Sequence, residues 1–177
     1  MAAEAFVRIS ISMDRFDLSH VTLARVTDDH FGFLLGEQNS SSGLSLSPSG
    51  IDSPGMLRML RRMLARLHQA GCHGHWLILD GSEVVGLCGY KHPPDASRHV
   101  EIGYGVAPDR RMKGYATKAV SLVLHEARSD QAVDAVLAET AIDNLASKLV
   151  LQRNGFTHAG TREDAEDGTL DLWRFDL

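Results

Sequence analysis

The feature that most narrows the possible folds is the run from Glu101 to Val120: Glu-Ile-Gly-Tyr-Gly-Val, then Ala-Pro-Asp-Arg-Arg-Met-Lys-Gly, then Tyr-Ala-Thr-Lys-Ala-Val. It reads as strand, turn and helix in unbroken succession. Gly114 and Ala116 remove side-chain bulk where the helix begins, so that the NH groups of the preceding turn can approach an anion closely. The helix dipole contributes about 0.3 to 2 kcal/mol to such binding and each charge-assisted NH bond about 1.5 to 3. A diphosphate collects several. Without a ligand, the same residues read as a solvated turn before a helix. Two other phosphate motifs are absent. Lys113-Gly114 is in the wrong order for GxxxxGK[ST], and Gly103 and Gly105 precede Val106-Ala107-Pro108, which does not complete GxGxxG.

The flanking sequence gives the run a sheet to belong to. Val21 to Val26 partly alternates as a strand, and Thr27 with Asp28 and Asp29 caps a short helix reaching Leu35. Phe6 to Ile11 is a further strand candidate. Ser53-Pro54 opens a helix whose Met56, Leu57, Leu60, Met63, Leu64 and Leu67 form an apolar stripe, expected to be core, while Arg58, Arg61, Arg62 and Arg66 face out. His75 to Leu79 and Glu83 to Tyr90 form a hairpin about Asp80-Gly81-Ser82, and His99 to Val106 extends it to an antiparallel meander. After a helix from Gly114 to Ala127 come a strand, Ala132 to Thr140, and a helix, Asn144 to Arg153. A strand pair, Phe156 to Thr161 and Leu170 to Phe175, closes the chain. The order is mixed α/β.

Composition sets the outer limits. With 177 residues, 44% hydrophobic, the chain has the size of one domain, residues 1–177. Its one compositional break is the Ser- and Gly-rich stretch 36–55, expected to be a flexible loop because it offers little to bury. The net charge of -5 argues against non-specific nucleic-acid binding and suits a cationic partner. No apolar run is long enough to span a membrane, and the first residues lack the pattern of a signal peptide, which points to the cytoplasm. Cys72 and Cys88 are too few for a disulfide framework and suit a reducing compartment; whether they pair is left open. In Cys72-His73-Gly74-His75 the two histidines would share a strand face, yet no second ligand pair appears and no metal is expected.

Arg111-x-x-Gly114-x-Ala116 resembles the Gln/Arg-x-x-Gly-x-Gly/Ala signature of the GNAT superfamily of acyl-coenzyme A N-acyltransferases. It follows a Glu-Ile-Gly-Tyr strand and precedes Asn144-Leu145-Ala146-Ser147 and Asn154-Gly155-Phe156, which look like the family's later helix. The ribosomal-protein N-terminal (Rim-like) acetyltransferases are nearest in pattern. The resemblance implies a mostly antiparallel central sheet of six to seven strands, flanking helices, and a splayed parallel pair in which coenzyme A lies. The backbone of Tyr104, Gly105 and Val106 would pair with the pantetheine arm. The amides of Met112, Lys113, Gly114, Tyr115, Ala116 and Thr117 would hold the pyrophosphate, with Arg111 and Lys113 adding charge. Asn144 and Ser147 would face the pantetheine and the sulfur.

The implied activity is transfer of an acetyl group from acetyl-CoA, with no metal, to a primary amine on a peptide N-terminus or a small molecule. A non-catalytic CoA-binding regulatory module is the alternative. Attack requires a neutral amine; Glu101 is the candidate base, with Glu139 in reserve, and the competing reading of Glu101 is a structural carboxylate paired with an arginine. Many family members place a tyrosine on the helix after the asparagine to protonate the thiolate, but Leu151 stands there, which leaves Ser147 as the acid and Tyr104 and Tyr115 as substitutes. The acidic cluster Glu163, Asp164, Glu166 and Asp167 reads as a solvated hairpin tip or an attractant for a cationic amine. Oligomeric state is left open, homodimers being common in similar enzymes.

Overall fold

The computed structural model describes residues 17–39 and 43–177; the strand candidate Phe6 to Ile11 lies outside them. The described residues form β1 (Val21–Arg25), α1 (Asp28–Leu34), β2 (Ser45–Leu46), α2 (Pro54–Gln69), β3 (His75–Asp80), β4 (Glu83–Tyr90), β5 (His99–Val106), α3 (Tyr115–Ser129), β6 (Ala135–Ala141), α4 (Leu145–Arg153), β7 (Thr157–Asp164) and β8 (Gly168–Asp176), with a single 3-10 turn at Pro108–Arg110. Local chemistry accounts for most boundaries. Thr27 Oγ1 accepts from the His30 amide at 3.4 Å while His30 Nδ1 accepts from the Thr27 amide at 3.0 Å, a reciprocal cap for α1. Ser53 Oγ accepts from the Met56 amide at 3.2 Å, and Pro54 occupies the first turn of α2, where its missing NH costs nothing. Between β3 and β4, Gly81 has φ +60°, as the tight turn requires.

The strands form a mixed sheet in the order β1-β3-β4-β5-β6-β8-β7, and β2 joins β4 alongside. That is seven strands in line plus a two-residue eighth, at the upper end of the expected number. Neighbours are antiparallel except β5 with β6 and β2 with β4. Period-two alternation on β3, β4 and β5 divides the apolar side chains between two cores. Val85, Val100, Ile102, Val120, Val123, Val136 and Leu151 pack on the α3 and α4 face. Phe31, Leu57, Leu64, Leu77, Val84 and Leu87 pack on the α1 and α2 face. Arg61 ties α2 to α1 through Asp28, Nε to Oδ1 at 2.6 Å, and reaches Glu37 at 2.8 Å.

Several boundaries move. β6 begins at Ala135 rather than Ala132, and β7 and β8 extend to meet at the acidic tip. The stretch 43–55 buries more than its composition suggests. Ser45–Leu46 takes the part of β4 that lies beyond the end of β5, Ser47 is 2% exposed and Ile51 6%. Only half of the α2 stripe is core: Leu57, Leu64 and Leu67 are buried, whereas Met56 is 40% exposed. Among the described residues no helix is long and apolar enough to cross a membrane.

Candidate active site

β5 is shared between two partners that part company along its length. It stays paired with β4 up to Val106, while its ladder with β6 runs only from His99 to Glu101, opposite Ala135 to Leu137. β6 continues with β8 to Ala141. Among the described residues the β6-facing edge of β5 from Ile102 to Val106 therefore has no strand neighbour, and its backbone groups, the Val106 carbonyl apart, are available to a ligand. α4 flanks the opening, and the Tyr104 hydroxyl donates to the Ser147 carbonyl at 3.3 Å across it. Burial raises the Tyr104 pKa.

The open edge leads into the turn before α3. Three polar anchors hold that turn. Asp109 accepts from Ser47 Oγ and from Ser49 Oγ at 2.5 Å, which depress its pKa. Arg110 pairs with Glu83 at 2.8 Å, and Arg111 Nε donates to the Val106 carbonyl at 3.2 Å. Beyond the anchors the backbone takes two left-handed steps, Met112 at φ +63° and Gly114 at φ +89°, and Met112 stands 92% exposed. No side chain caps α3, and Lys118, bonded to the Gly114 carbonyl at 3.0 Å, is the first residue whose amide is drawn into the helix. The amides of Tyr115, Ala116 and Thr117 thus make an anion-ready helix start. Gly114 is required for its φ, and a Cβ there would also lie 3.0 Å from Leu18 Cδ1.

The two candidate bases sit in different electrostatic settings. Glu101 is 18% exposed and forms a single ion pair, with Lys91; its partner is this lysine, not an arginine. Glu139 is clamped at both oxygens by Arg162, at 2.7 and 2.8 Å, which holds its pKa below the ordinary carboxylate value and weakens it as a base. Lys91 escaped the sequence reading. Extending the β4–β5 register one step past Tyr90↔Ile102 sets Lys91 opposite Glu101, and hairpin arithmetic would have found it.

Asn144 caps α4, its Oδ1 accepting from the Ser147 amide at 3.1 Å, so that oxygen is committed to the helix. Ser147 is half-buried and lies beside Tyr104. Leu151 is wholly buried in the core. Tyr115 is unsuited to the acid role, because its hydroxyl is turned to Asp80 at the far end of β3; burial first, then that carboxylate, pushes its pKa up to about 12.

On the other face of β5 lies a cleft of about 400 Å³. Gly89, Gly103 and Gly105 form its floor and the Met56, Met59, Leu60 and Met63 side of α2 forms a wall, with Ile51, Asp52, His75, Leu87 and Lys91 completing it. The methionine stripe read as core is largely this wall. His75 is 4% exposed, and burial pushes its pKa down to about 4, so its imidazole is neutral at pH 7. Its ring occupies the space above Gly89, where a Cβ would come within 2.4 Å of Nδ1.

The remaining candidates resolve as structure. Cys72 and Cys88 are both free. β3 begins at His75, so His73 precedes the strand instead of sharing its face; it packs on His68. Among the described residues no group of three or more potential metal ligands occurs. At the β7–β8 tip, Asp164 accepts from Arg162 and from the amides of Glu166 and Asp167, which hold its pKa near 2, and Glu163 accepts from Thr169. Two of the four acidic side chains of the tip, Glu163 and Asp164, are thus taken up within it.

Known proteins resemble this chain in sequence and in fold. The chain is 34% identical over 83 residues to the uncharacterized N-acetyltransferase YjdG of Bacillus subtilis, covering 46% of the chain and 49% of that protein. It is 25% identical over 100 residues to the ribosomal-protein-serine acetyltransferase of Escherichia coli, covering 56% of each. The matched regions thus span about half the length of these curated relatives. Among solved structures, a ribosomal L7/L12 alpha-N-protein acetyltransferase, RimL, in complex with coenzyme A superposes with a TM-score of 0.68 at 21% identity, over 90% of this chain and 95% of that one. At that identity the likeness speaks for the fold. Residues 20–157 match the family described as the acetyltransferase (GNAT) domain. With the match spanning most of the sequence and the open β5 edge running into an uncapped helix, the chain belongs to the GNAT acetyltransferase family.

Proposed function

We propose that the protein transfers an acetyl group from acetyl-CoA to a primary amine by direct attack in a ternary complex. The observation that carries this reading is the continuity of three features: the open edge of β5, the uncapped start of α3 at one end of it, and the cleft at Gly103–Gly105 on its other face. A donor can lie along the edge with its diphosphate on the helix while an acceptor reaches the same stretch of strand from the opposite side. The amides of Met112 to Thr117, with Lys113 nearby, serve the pyrophosphate. Arg111 spends one NH on Val106 and keeps its remaining donors for the phosphates. The Tyr104 to Val106 backbone serves the pantetheine arm, and the free amide nitrogen of Asn144 and the Ser147 hydroxyl flank it.

Acetyl-CoA supplies an activated acyl carbon; the chain's residues manage the protons. Glu101 takes the proton from the acceptor nitrogen, through water, as the N–C bond forms and the C–S bond breaks. The Ser147 hydroxyl donates a hydrogen bond to the departing sulfur and relays to it the proton that Glu101 releases through water. Because a thiol has a pKa of about 8.5, the lack of a side-chain acid at Leu151 slows that step without blocking it. Titration calorimetry with acetyl-CoA, followed by acetylation of a panel of peptides and amines, tests the proposal. Micromolar to sub-millimolar binding and transfer to some amine are expected. No binding at millimolar concentration overturns it, and binding without transfer to any amine selects the regulatory module that the Leu151 departure makes conceivable.

A further inference from the structure

The cleft under α2 carries its own selectivity, and this inference rests on the reading of it as the acceptor side. Its walls are Ile51, Met56, Met59, Leu60, Met63 and Leu87. Met56 and Met59 are each 40% exposed, and both of these exposed methionines of α2 stand on the cleft. Scattered exposed apolar residues need no explanation, whereas two adjoining a concave apolar wall mark a binding surface.

The charge inventory of the cleft is short. Lys91 is neutralised by Glu101. His75 is buried and neutral at pH 7. Among the described residues that leaves Asp52, exposed at the N-terminal end of α2 with one oxygen taking the Ser53 amide at 2.6 Å, as the one charge on the lining without an opposite partner. One negative charge beside apolar walls suits one ammonium attached to an apolar group. A polyamine would bring further ammonium groups into a lining that offers them nothing, because the acidic cluster of the β7–β8 tip is not part of that lining.

The floor supplies an independent observation. Gly103 and Gly105 both lie outside the left-handed region, so neither is glycine for conformational reasons. A Cβ on Gly105 would meet nothing within 4 Å, and one on Gly103 would meet only the Lys91 stem, at 3.7 Å. No described residue occupies that space. Gly89, opposite Gly103 on the neighbouring strand, is the contrast, since the His75 ring fills the volume above it.

We propose that the acceptor is a primary amine bearing a Leu-, Met- or Phe-sized apolar group next to the nitrogen, with that group lodged between the methionines of α2 and the glycine floor. Flexible thioether side chains adapt to several shapes, so the selection is for apolar bulk and not for a single residue. A pocket that gains or loses a few methylenes of contact changes kcat/KM by about 10- to 200-fold.

The test measures kcat/KM for the full chain at saturating acetyl-CoA. The acceptors are short peptides beginning with Leu, Met, Phe, Ser or Asp, then leucinamide and phenethylamine, and finally spermidine. Apolar acceptors are expected to exceed Ser-initiated peptides and spermidine by at least about 10-fold. Met59→Gln and Met56→Gln, both at exposed helix positions, should move that ratio toward one while the melting temperature stays within a few degrees. Gly105→Ala should penalise Phe more than Leu. A preference for Leu-initiated peptides over leucinamide identifies the source as a protein N-terminus, and the reverse identifies a free amine; either upholds the apolar class. Equal or faster transfer to Ser-initiated peptides or spermidine overturns the inference and leaves the acetyltransferase reading standing. Absence of transfer to every amine overturns both. If the methionine substitutions change the sedimenting mass but not the acceptor ratio, the face is a contact between two copies of the chain, and the inference falls.

Discussion

The two faces of β5 solve opposite problems with opposite materials. On the donor side, the turn from Pro108 to Thr117 is held by directional polar bonds: Ser47 and Ser49 to Asp109, Glu83 to Arg110, and Val106 to Arg111. Such bonds fix atoms to a few tenths of an ångström, which suits a ligand recognised through its phosphates. On the acceptor side, the cleft is walled by methionines and floored by glycines, materials that specify volume and leave position loose. On the proposed assignment of the two sides, the protein is strict about its donor and selects its acceptor by apolar volume and not by one shape.

The sharpest way to break that picture is at the strand both faces share. Glu101→Gln should lower kcat by about 100-fold or more while leaving acetyl-CoA affinity within about threefold, as measured by steady-state kinetics and calorimetry. A loss below about tenfold excludes Glu101 as the base and would make its ion pair with Lys91 structural.

Next in size is a comparison within the floor. Gly89→Ala drives a methyl into the His75 ring and should destabilise the fold by about 1 to 3 kcal/mol, read from urea unfolding. Gly105→Ala, where a Cβ meets nothing, should unfold at the parent's urea concentration. Equal losses in both would mean that the space above Gly105 is not free.

On the donor side, Asp109→Ala releases both serines and should weaken acetyl-CoA by about tenfold, the loss of about 1.4 kcal/mol of positioning. Gly114→Val is a poorer probe, because the φ of +89° and the nearby Leu18 make it costly to folding as well as to binding. If Asp109→Ala binds acetyl-CoA as tightly as the parent, the polar anchors are not what orders the donor loop.

A separate effect, on stability and not on activity, concerns pH. His75 in the folded protein titrates near pH 4, below the 6.5 of an unfolded histidine, so between those values the unfolded chain binds the extra proton. Stability should therefore fall as pH drops from about 6.5 toward 4, by at most about 1.4 kcal/mol per pH unit from this residue. His75→Gln should flatten that limb in a series of denaturant melts. An unchanged slope would show that His75 is not the residue whose burial sets it.

How far each region was legible follows from how its contacts run along the chain. The strand, turn and helix of 101–120, the hairpin at Gly81 and the helix caps at Thr27, Ser53 and Asn144 are set by residues within a few positions of one another. The ties from Ser47 and Ser49 to Asp109 span about sixty positions, and nothing in the serine-rich composition distinguishes two anchors from a solvated loop. Likewise the α2 stripe has the periodicity of a core face, but the sheet beneath its methionine end is glycine, so the stripe divides into core and cleft wall only when the glycine floor is set against it.

The sequence by itself determined the elements, their order and the anion-ready helix start, because propensity, capping and turn chemistry act over one or two turns of chain. Tertiary structure alone decided where β5 parts from β6, which carboxylate is clamped by Arg162 and which meets Lys91, and that open space lies above Gly105. Those outcomes depend on sheet register and on what packs against each face, and a one-residue change of register would exchange the faces.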